Sequence, residues 1–172
     1  MILRAAARRR SGAVALGFLL LLAGCAAPPP PPPPTIVDLT LSTGTDANPT
    51  TSGQGAPVVV RVYQLGSAAG FEKAEFFRLL NQDSATLGAD LVNKDEFLLA
   101  PGSARKLNLT PPPTVKAIGV FAAYRDFQKV TWRGTAEVPA NKTTNVAVRA
   151  DAAGLSVAAS PAPPPPPPKP AS

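Results

Sequence analysis

Two blocks of proline limit where this 172-residue chain can fold. Seven of its 22 prolines fill positions 28–34, and eight lie between Pro161 and Pro170. Proline fixes φ near about −65° and lacks a backbone N–H, so such runs form polyproline II rods. Folding is therefore expected in residues 35–158, with residues 159–172 as a disordered proline-rich tail. The first block is a spacer of roughly 20 Å, at about 3.1 Å per residue; a ligand for SH3-type domains is the alternative.

The chain before the first block has the form of an export signal that ends in a cysteine. A basic start and an apolar run lead into Leu22-Ala23-Gly24-Cys25, which contains the only cysteine. The run, residues 13–22, is ten residues long. This fits a signal-peptide core and falls short of the roughly 20 apolar residues that a membrane-spanning helix needs. A lone cysteine in an exported protein cannot form an internal disulfide, which leaves a stray thiol, an intermolecular bridge or a modified sulfur.

The position of Cys25 favours modification of its sulfur. Leu-Ala-Gly-Cys resembles the bacterial lipobox, which implies that residues 1–24 are removed as a signal peptide. Cys25 would then carry an N-palmitoyl group and an S-diacylglycerol, and residues 25–34 would form a lipidated polyproline tether. Ala26 stands where aspartate would resemble an inner-membrane retention signal, so delivery to the outer membrane is expected. The alternatives are an ordinary signal peptide with an unrelated cysteine and, more weakly, a twin-arginine signal at Arg9-Arg10.

The net charge of +6 arises largely from this signal segment. Once its four arginines are removed, thirteen Lys and Arg remain against eleven Asp and Glu. These basic residues are scattered and form no stripe, which gives no indication of a nucleic-acid partner.

Residues 35–158 contain several short segments with the period of a β-strand. In the first, apolar Val37, Leu39 and Leu41 alternate with polar residues, as in a strand with one buried face. Residues 58–65 and 115–124 are apolar on both faces, which predicts central strands covered on two sides. Further strands are predicted at residues 96–99, 105–109, 130–138, 143–149 and 155–157. Seven or eight short strands with turn signals between them indicate an all-β, two-sheet β-sandwich.

One segment departs from the strand pattern and predicts a small helical addition. Residues 71–80 place Phe76 or Phe77 at helical spacing from Leu80, with charged residues left for water. Leu87 and Leu91 would continue it by another turn, although Gly88 predicts broken helical pieces rather than one long helix. This segment is the expected cover for the second face of strand 58–65.

Residues 44–56 form a long connection of small and polar residues between the first two predicted strands. Connections of this length inside a compact domain are usually functional or disordered. The segment is therefore the best candidate for a binding surface, and a flexible hairpin tip is the alternative.

The sequence lacks the side chains that most catalytic and metal sites use. It has no histidine, and its one cysteine is assigned to lipid, which removes histidine-based acid–base chemistry, nucleophilic triads and His or Cys zinc sites. Asp95-Glu96 would point to opposite faces of a strand, and Asp126 falls in a turn beside Arg125, so neither forms a glycosidase pair. We expect no enzyme, no metal, no small-molecule substrate and no cofactor beyond the lipid on Cys25. Trp132 is interpreted as a core residue because it shares a face with apolar neighbours.

The order of these features resembles the TssJ (SciN) family, the outer-membrane lipoproteins of bacterial type VI secretion systems. The resemblance covers residues 37–149 and rests on the lipobox, V-R-V-Y-Q-L at 60–65, the helical F-E-K-A-E-F-F-R-L-L, the Pro101-Gly102 turn, and A-A-Y-R-D with a downstream W-R. It implies a transthyretin-like β-sandwich with a small helical addition, anchored by lipid in the outer membrane and facing the periplasm.

The resemblance also implies a partner and a site. In the family, the loop between the first two strands engages the periplasmic C-terminal region of TssM, which with TssL forms the trans-envelope complex. Carried onto residues 44–56, it implies polar contacts by Asp46, Asn48 and Gln54, with Pro49 as a stiffener. The alternative function is an outer-membrane lipoprotein that binds a small ligand or carbohydrate between its sheets; the single Trp and two Tyr favour the scaffold.

Overall fold

The computed structural model of the protein describes residues 30–163. The signal segment, Cys25, the first two prolines of the first block and most of the second block lie outside the described residues. Within them, eight strands and two short helices follow one another along the chain: β1 Ile36–Thr43, β2 Val58–Leu65, α1 Ala69–Lys73, α2 Phe76–Leu87, a 3-10 turn Gly88–Asp90, β3 Leu91–Leu99, β4 Ala104–Leu109, β5 Ala117–Ala122, β6 Arg133–Glu137, β7 Thr143–Asp151 and β8 Gly154–Pro161.

The strands form two four-stranded sheets, ordered β4-β1-β7-β8 and β3-β2-β5-β6. In the first sheet β1 pairs in parallel with β7 and antiparallel with β4, so that Leu39 lies between Val146 and Leu107. In the second sheet β2 is central and antiparallel to both β3 and β5. The predicted two-sheet sandwich with a small helical addition is confirmed.

Strands β2 and β5 are buried on both faces, as their sequences predict. Their inward side chains, such as Val60 and Val120, pack in the core between the sheets. Their outward side chains, including Tyr63 and Phe121, pack in a second cluster under α1 and α2. A fully buried side chain of this size contributes about 1.5–3 kcal/mol, so both layers stabilise the fold. As expected, the helical segment covers the outer face of β2 and β5, the face that the first sheet does not cover.

The helical segment differs from its prediction in the face that it buries. Its two helices are separated at Ala74 and Glu75, and α2 is kinked at Gln82, where φ is −144°. Phe76 and Leu79 face the sheet, whereas Phe77 is 58% exposed. Of the two predicted pairs, Phe77 with Leu80 is therefore wrong. Phe76 is buried and Leu80 packs against the same cluster, but the fully buried stripe runs through Leu79 and a polar residue, Asp83.

Two strand boundaries also differ from the predicted ones. Leu91, predicted to extend the helix, begins β3 and pairs with Leu65, because the helix ends at Gly88 with a φ of 54°. Strand β8 continues to Pro161, so residues 159–161, predicted to belong to the tail, are part of the sheet. Ala159 pairs with Val146, and a proline is tolerated at the end of an edge strand. Of the rest of the predicted tail, residues 162–163 are described without regular structure, and residues 164–172 lie outside the described residues.

Two arginines hold the helices against the sheet. Arg61 donates hydrogen bonds to the carbonyls of Leu79 and Leu80, each at 2.9 Å, and pairs with Glu96 at 2.6 Å. Arg133 donates to the carbonyls of Phe71 and Ala74, which end α1. Arg61 thus holds the first half of α2, before its kink, and Arg133 holds the end of α1. The arginines of V-R-V-Y and W-R therefore have a structural role.

Asp83 is a buried carboxylate between the kinked helix and the sheet. It accepts hydrogen bonds from the Tyr63 hydroxyl at 3.1 Å and from Lys94 Nζ at 2.8 Å. Burial alone would raise the pKa of this carboxyl, but donation by Lys94, by the Ser84 N–H and by Tyr63 outweighs burial and lowers the pKa of Asp83. Asp83 is therefore charged at neutral pH and connects α2 to β2 and β3.

Candidate functional site at the loop pole

The strand directions divide the sandwich into two poles. Strand β1 runs from Ile36 to Thr43 and leads into residues 44–57. The turns at 100–103, 123–132 and 152–153 lie at the same end, which we call the loop pole. The opposite end, the entry pole, is where the chain enters at Thr35: Ile36 N–H donates to Lys142 O at 3.0 Å there. Strand β8 also ends at the entry pole, with Ala162 N–H bonded to Thr143 O at 3.1 Å.

The loop of residues 44–57 has a defined conformation with a closed base. Ala47 is fully buried, and its carbonyl accepts a hydrogen bond from Ala56 N–H at 2.8 Å. Nearer the tip, Thr50 N–H donates to Gln54 O at 2.8 Å, so a second hydrogen bond joins the two arms of the loop. A side chain at Gly55 would place a Cβ 2.2 Å from Thr45 O, so the close approach of the two arms requires glycine.

Asn48 joins the loop to a distant turn. Its side-chain Nδ2 donates to Pro57 O at 2.8 Å across the base of the loop. Its Oδ1 accepts from the backbone N–H of Arg125 at 2.8 Å, which ties the loop to the turn between β5 and β6. The residue has a φ of 48°, a left-handed conformation that asparagine tolerates better than most side chains. Asn48 therefore shapes the loop pole from within.

The structure places the four residues predicted for partner contact in one loop but in different environments. Asp46 and Gln54 are exposed, and Pro49 is half-buried. Asn48 is buried, with both of its amide atoms bonded within the chain. Exposed side chains at the loop pole are thus supplied by Asp46 and Gln54, while Asn48 fixes the shape in which they are presented. Whether any of them contacts a partner stays a prediction.

Replacing Asn48 with alanine is expected to destabilise the domain by about 1–3 kcal/mol. The substitution leaves Pro57 O and Arg125 N–H without their partner and places an alanine at positive φ. Chemical denaturation of the variant beside the wild type measures the difference. Gln54→Ala, at the exposed tip, is the control with an expected change below about 0.5 kcal/mol; equal losses in the two variants would contradict this role for Asn48.

A small cavity lies beside the loop, between it and two neighbouring turns. Its volume is about 240 Å³, and its walls include Pro49, Tyr124 and Val130. The Tyr124 hydroxyl is buried and makes no hydrogen bond within residues 30–163. Burial, with the nearby Asp151 carboxylate, raises the pKa of this hydroxyl, which is therefore protonated at neutral pH. An ion pair of Asp126 and Lys129, 2.7 Å apart and exposed, forms part of the cavity wall.

The rest of the described chain offers little for a small ligand or an ion. The space between the sheets is filled by the apolar core, which includes Tyr124, and the half-buried Trp132 packs against it. A shallow groove of about 610 Å³ lies on the outer face of the first sheet, lined by small and polar side chains such as Asp38, Asn108 and Asn145. In residues 30–163 no group of three or more His, Cys, Asp or Glu is placed to hold a metal ion. No helix in the same residues is long and apolar enough to span a membrane.

The fold and this pole define a class: an eight-stranded, two-sheet β-sandwich with a helical cover on one sheet and a long ordered loop at one end. The sequence family described as "Type VI secretion lipoprotein, VasD, EvfM, TssJ, VC_A0113" matches residues 35–153. The chain belongs to this family. The resemblance to TssJ seen in the sequence is confirmed, and the family is one of membrane-bound lipoproteins of a secretion system.

Solved structures of this family share the fold. The type VI secretion lipoprotein TssJ1 from Pseudomonas aeruginosa is 38% identical, with a TM-score of 0.72, over 76% of this chain and 100% of that one. Lip from Serratia marcescens, described as a membrane-bound component of the type VI secretion system, is 28% identical, with a TM-score of 0.67, over 73% of this chain and 98% of that one.

A third similar chain occurs in a solved structure described as the TssM C-terminal domain from EAEC. It is 21% identical, with a TM-score of 0.58, over 72% of this chain and 98% of that one. At this identity the likeness shows the fold alone. The comparison with curated proteins found no match.

Proposed function

We propose that this protein is the lipid-anchored outer-membrane component of the type VI secretion membrane complex. In this proposal it faces the periplasm and holds the periplasmic C-terminal region of TssM, in a complex that also contains TssL. Its role is structural: it tethers a partner to the outer membrane and carries out no reaction. Membership of the TssJ family supports the proposal, as does the occurrence of a similarly folded chain in a structure described as the TssM C-terminal domain.

The observation that carries the proposal is the separation of the loop from the point where the chain enters the domain. The lipid would be attached at Cys25, ten residues before Thr35, and Thr35 lies at the entry pole. A lipid attached upstream of Thr35 tethers that pole and leaves the opposite pole free. The loop pole is therefore the end that a periplasmic partner can approach.

The conformation of the loop supports the same assignment. A loop that is already ordered loses less conformational entropy on binding than a flexible one. Its backbone hydrogen bonds, the Asn48 link and the close approach at Gly55 hold the exposed residues Asp46 and Gln54 in place before a partner arrives. These features favour an ordered binding surface over the flexible hairpin tip that the sequence left open.

The test exchanges exposed residues and keeps the buried ones. Deleting residues 46–53 would remove the buried Ala47 and Asn48, so the double variant Asp46→Arg, Gln54→Arg is the cleaner change. Placing two arginines at the loop pole is expected to raise the Kd for the TssM periplasmic region at least about tenfold, equivalent to about 1.4 kcal/mol. Isothermal titration with the purified TssM region gives the Kd.

The matched control changes the charge by the same amount at the other end. Glu137→Arg with Thr114→Arg also replaces one carboxylate and one neutral side chain, both exposed at the entry pole. Its Kd is expected to stay within about twofold of the wild type. An unchanged Kd for the loop variant, or a loss confined to the entry-pole variant, would reject the proposal.

A further inference from the structure

An apolar strip lies exposed beside the loop, on the helix-covered face of the second sheet. Two of its side chains are large and largely exposed: Phe77 at 58% and Leu98 at 71%. Val59, Ala123 and Phe127, each half-buried, complete it. We call these five residues the apolar ledge. Large exposed apolar side chains gathered in one area usually mark a surface that binds a partner.

Backbone pairing shows that three of the five ledge residues form one row of the sheet. Leu98 is the pairing partner of Val59, and Ala123 N–H donates to Val59 O at 2.8 Å. The three side chains alternate with the buried inner residues of their strands, so all three point to the side of the helices. They form the last row of that face before the loop pole.

The helices leave this row uncovered. The next row contains Arg61, whose guanidinium bonds the carbonyls of Leu79 and Leu80 and so lies directly under α2. The rows beyond it, with Tyr63 and Leu65, are fully buried by α1 and α2. The helical cover thus ends one row short of the loop pole.

Aromatic contacts join Phe77 to the same area. The Phe77 and Phe127 rings meet edge to face at 5.2 Å, and Phe127 also stacks on Phe76 at 4.0 Å. Ala123, in the open row, and Phe127 both belong to the turn between β5 and β6, and both pack against the cluster under the helices. Phe127 lies in the turn whose Arg125 N–H is bonded by Asn48, so the turn that carries Ala123 and Phe127 is joined directly to the loop.

The loop itself has no large apolar side chain, since residues 44–56 are Gly, Thr, Ser, Asp, Asn, Ala, Gln and one proline. Protein interfaces usually gain most of their free energy from a few buried aromatic or aliphatic anchors surrounded by polar contacts. We propose that the apolar ledge is the anchor of the surface that the loop borders, and that it receives an apolar segment of the same TssM region. This inference rests on the proposed function. In the resulting interface, the ledge would be the apolar centre and the loop the polar rim.

The test removes the exposed apolar atoms while keeping the fold. Phe77→Ser and Leu98→Ser are each expected to raise the Kd for the TssM periplasmic region, Phe77→Ser at least about tenfold. Both should make the heat-capacity change of binding less negative, because less apolar surface is buried. Val92→Ser is the control: Val92 is 38% exposed at the far end of β3, and its Kd is expected to stay within about twofold.

The outcomes separate this inference from the proposed function. If the Asp46→Arg, Gln54→Arg variant loses affinity and both ledge variants keep it, the ledge is rejected and the proposed function stands. If all these variants keep wild-type affinity, both are rejected. Sedimentation of the free protein tests whether the ledge instead binds a second copy of this chain. A dimer that Phe77→Ser dissociates would assign the ledge to self-association and overturn the inference.

Discussion

Replacing Cys25 with serine is expected to move the protein from the outer-membrane fraction to the soluble periplasmic fraction. A thioether-linked diacylglycerol requires the cysteine sulfur, and each buried methylene of an acyl chain contributes about 0.8 kcal/mol to membrane binding. One acyl chain binds reversibly, whereas two or three give long-lived attachment. The variant cannot take the diacylglycerol, and the amino group is freed and acylated only after that step, so near-complete release is expected. Fractionation followed by immunoblotting measures it.

Ala27→Ser is the matched control for this variant. It introduces the same hydroxyl two residues downstream and leaves the sulfur in place, so it should remain in the outer-membrane fraction. A Cys25→Ser protein that still sediments with membranes would contradict lipid anchoring at this residue. Release of both variants would show that the serine, rather than the lost thioether, is responsible.

Replacing Phe76 with alanine is expected to lower the free energy of unfolding by about 3–5 kcal/mol, the range for deleting a buried phenylalanine. Phe76 is 6% exposed and is the centre of an aromatic cluster, with ring centroids 5.2 Å from Phe121, 4.0 Å from Phe127 and 5.2 Å from Trp132. Alanine would leave a cavity between α2 and the sheet, and the aromatic contacts that join them would be lost. Urea unfolding of the soluble Cys25→Ser form measures the loss.

The adjacent residue provides the control. Phe77→Ala removes the same atoms one position along the helix, where the side chain is mostly exposed, and the expected loss is below about 1 kcal/mol. The contrast between the neighbours tests which face of α2 is buried. Losses of equal size would contradict the orientation of the helix. Together with the Phe77 binding experiment, it also separates a stabilising phenylalanine from one available to a partner.

The strand pattern could be predicted because it depends on local alternation. Burial of Val37, Leu39 and Leu41 follows from period two, and the two covers of β2 follow from its apolar character on both faces. The face of α2 could not be predicted in this way, because its buried stripe includes Asp83, whose charge is bonded by Tyr63 and Lys94 from two strands. Such partners are fixed by tertiary structure, which a periodicity argument does not contain.

The candidate site was likewise predictable in part: the sequence identified the loop, but not the contacts that form in the folded domain. The length and composition of residues 44–56 were sufficient to identify the loop as a candidate surface. The role of Asn48 could not be predicted from the sequence. The hydrogen bond that its side chain accepts comes from the backbone N–H of Arg125, 77 residues further along the chain. The ledge was missed for a similar reason: Leu98, Ala123 and Phe77 come from three elements and meet only in the folded domain. A phenylalanine pair at 76–77 gives no sign of which ring is exposed.

Site-specific photocrosslinking in the intact envelope is the most direct test of the arrangement in which one pole is tethered and the other holds the partner. A photoreactive amino acid is placed at Gln54, on the loop pole, or at Thr114, on the entry pole, both exposed positions of the lipidated full-length protein. We expect an adduct with TssM from position 54 and none from position 114. An adduct from position 114 without one from position 54 would contradict it.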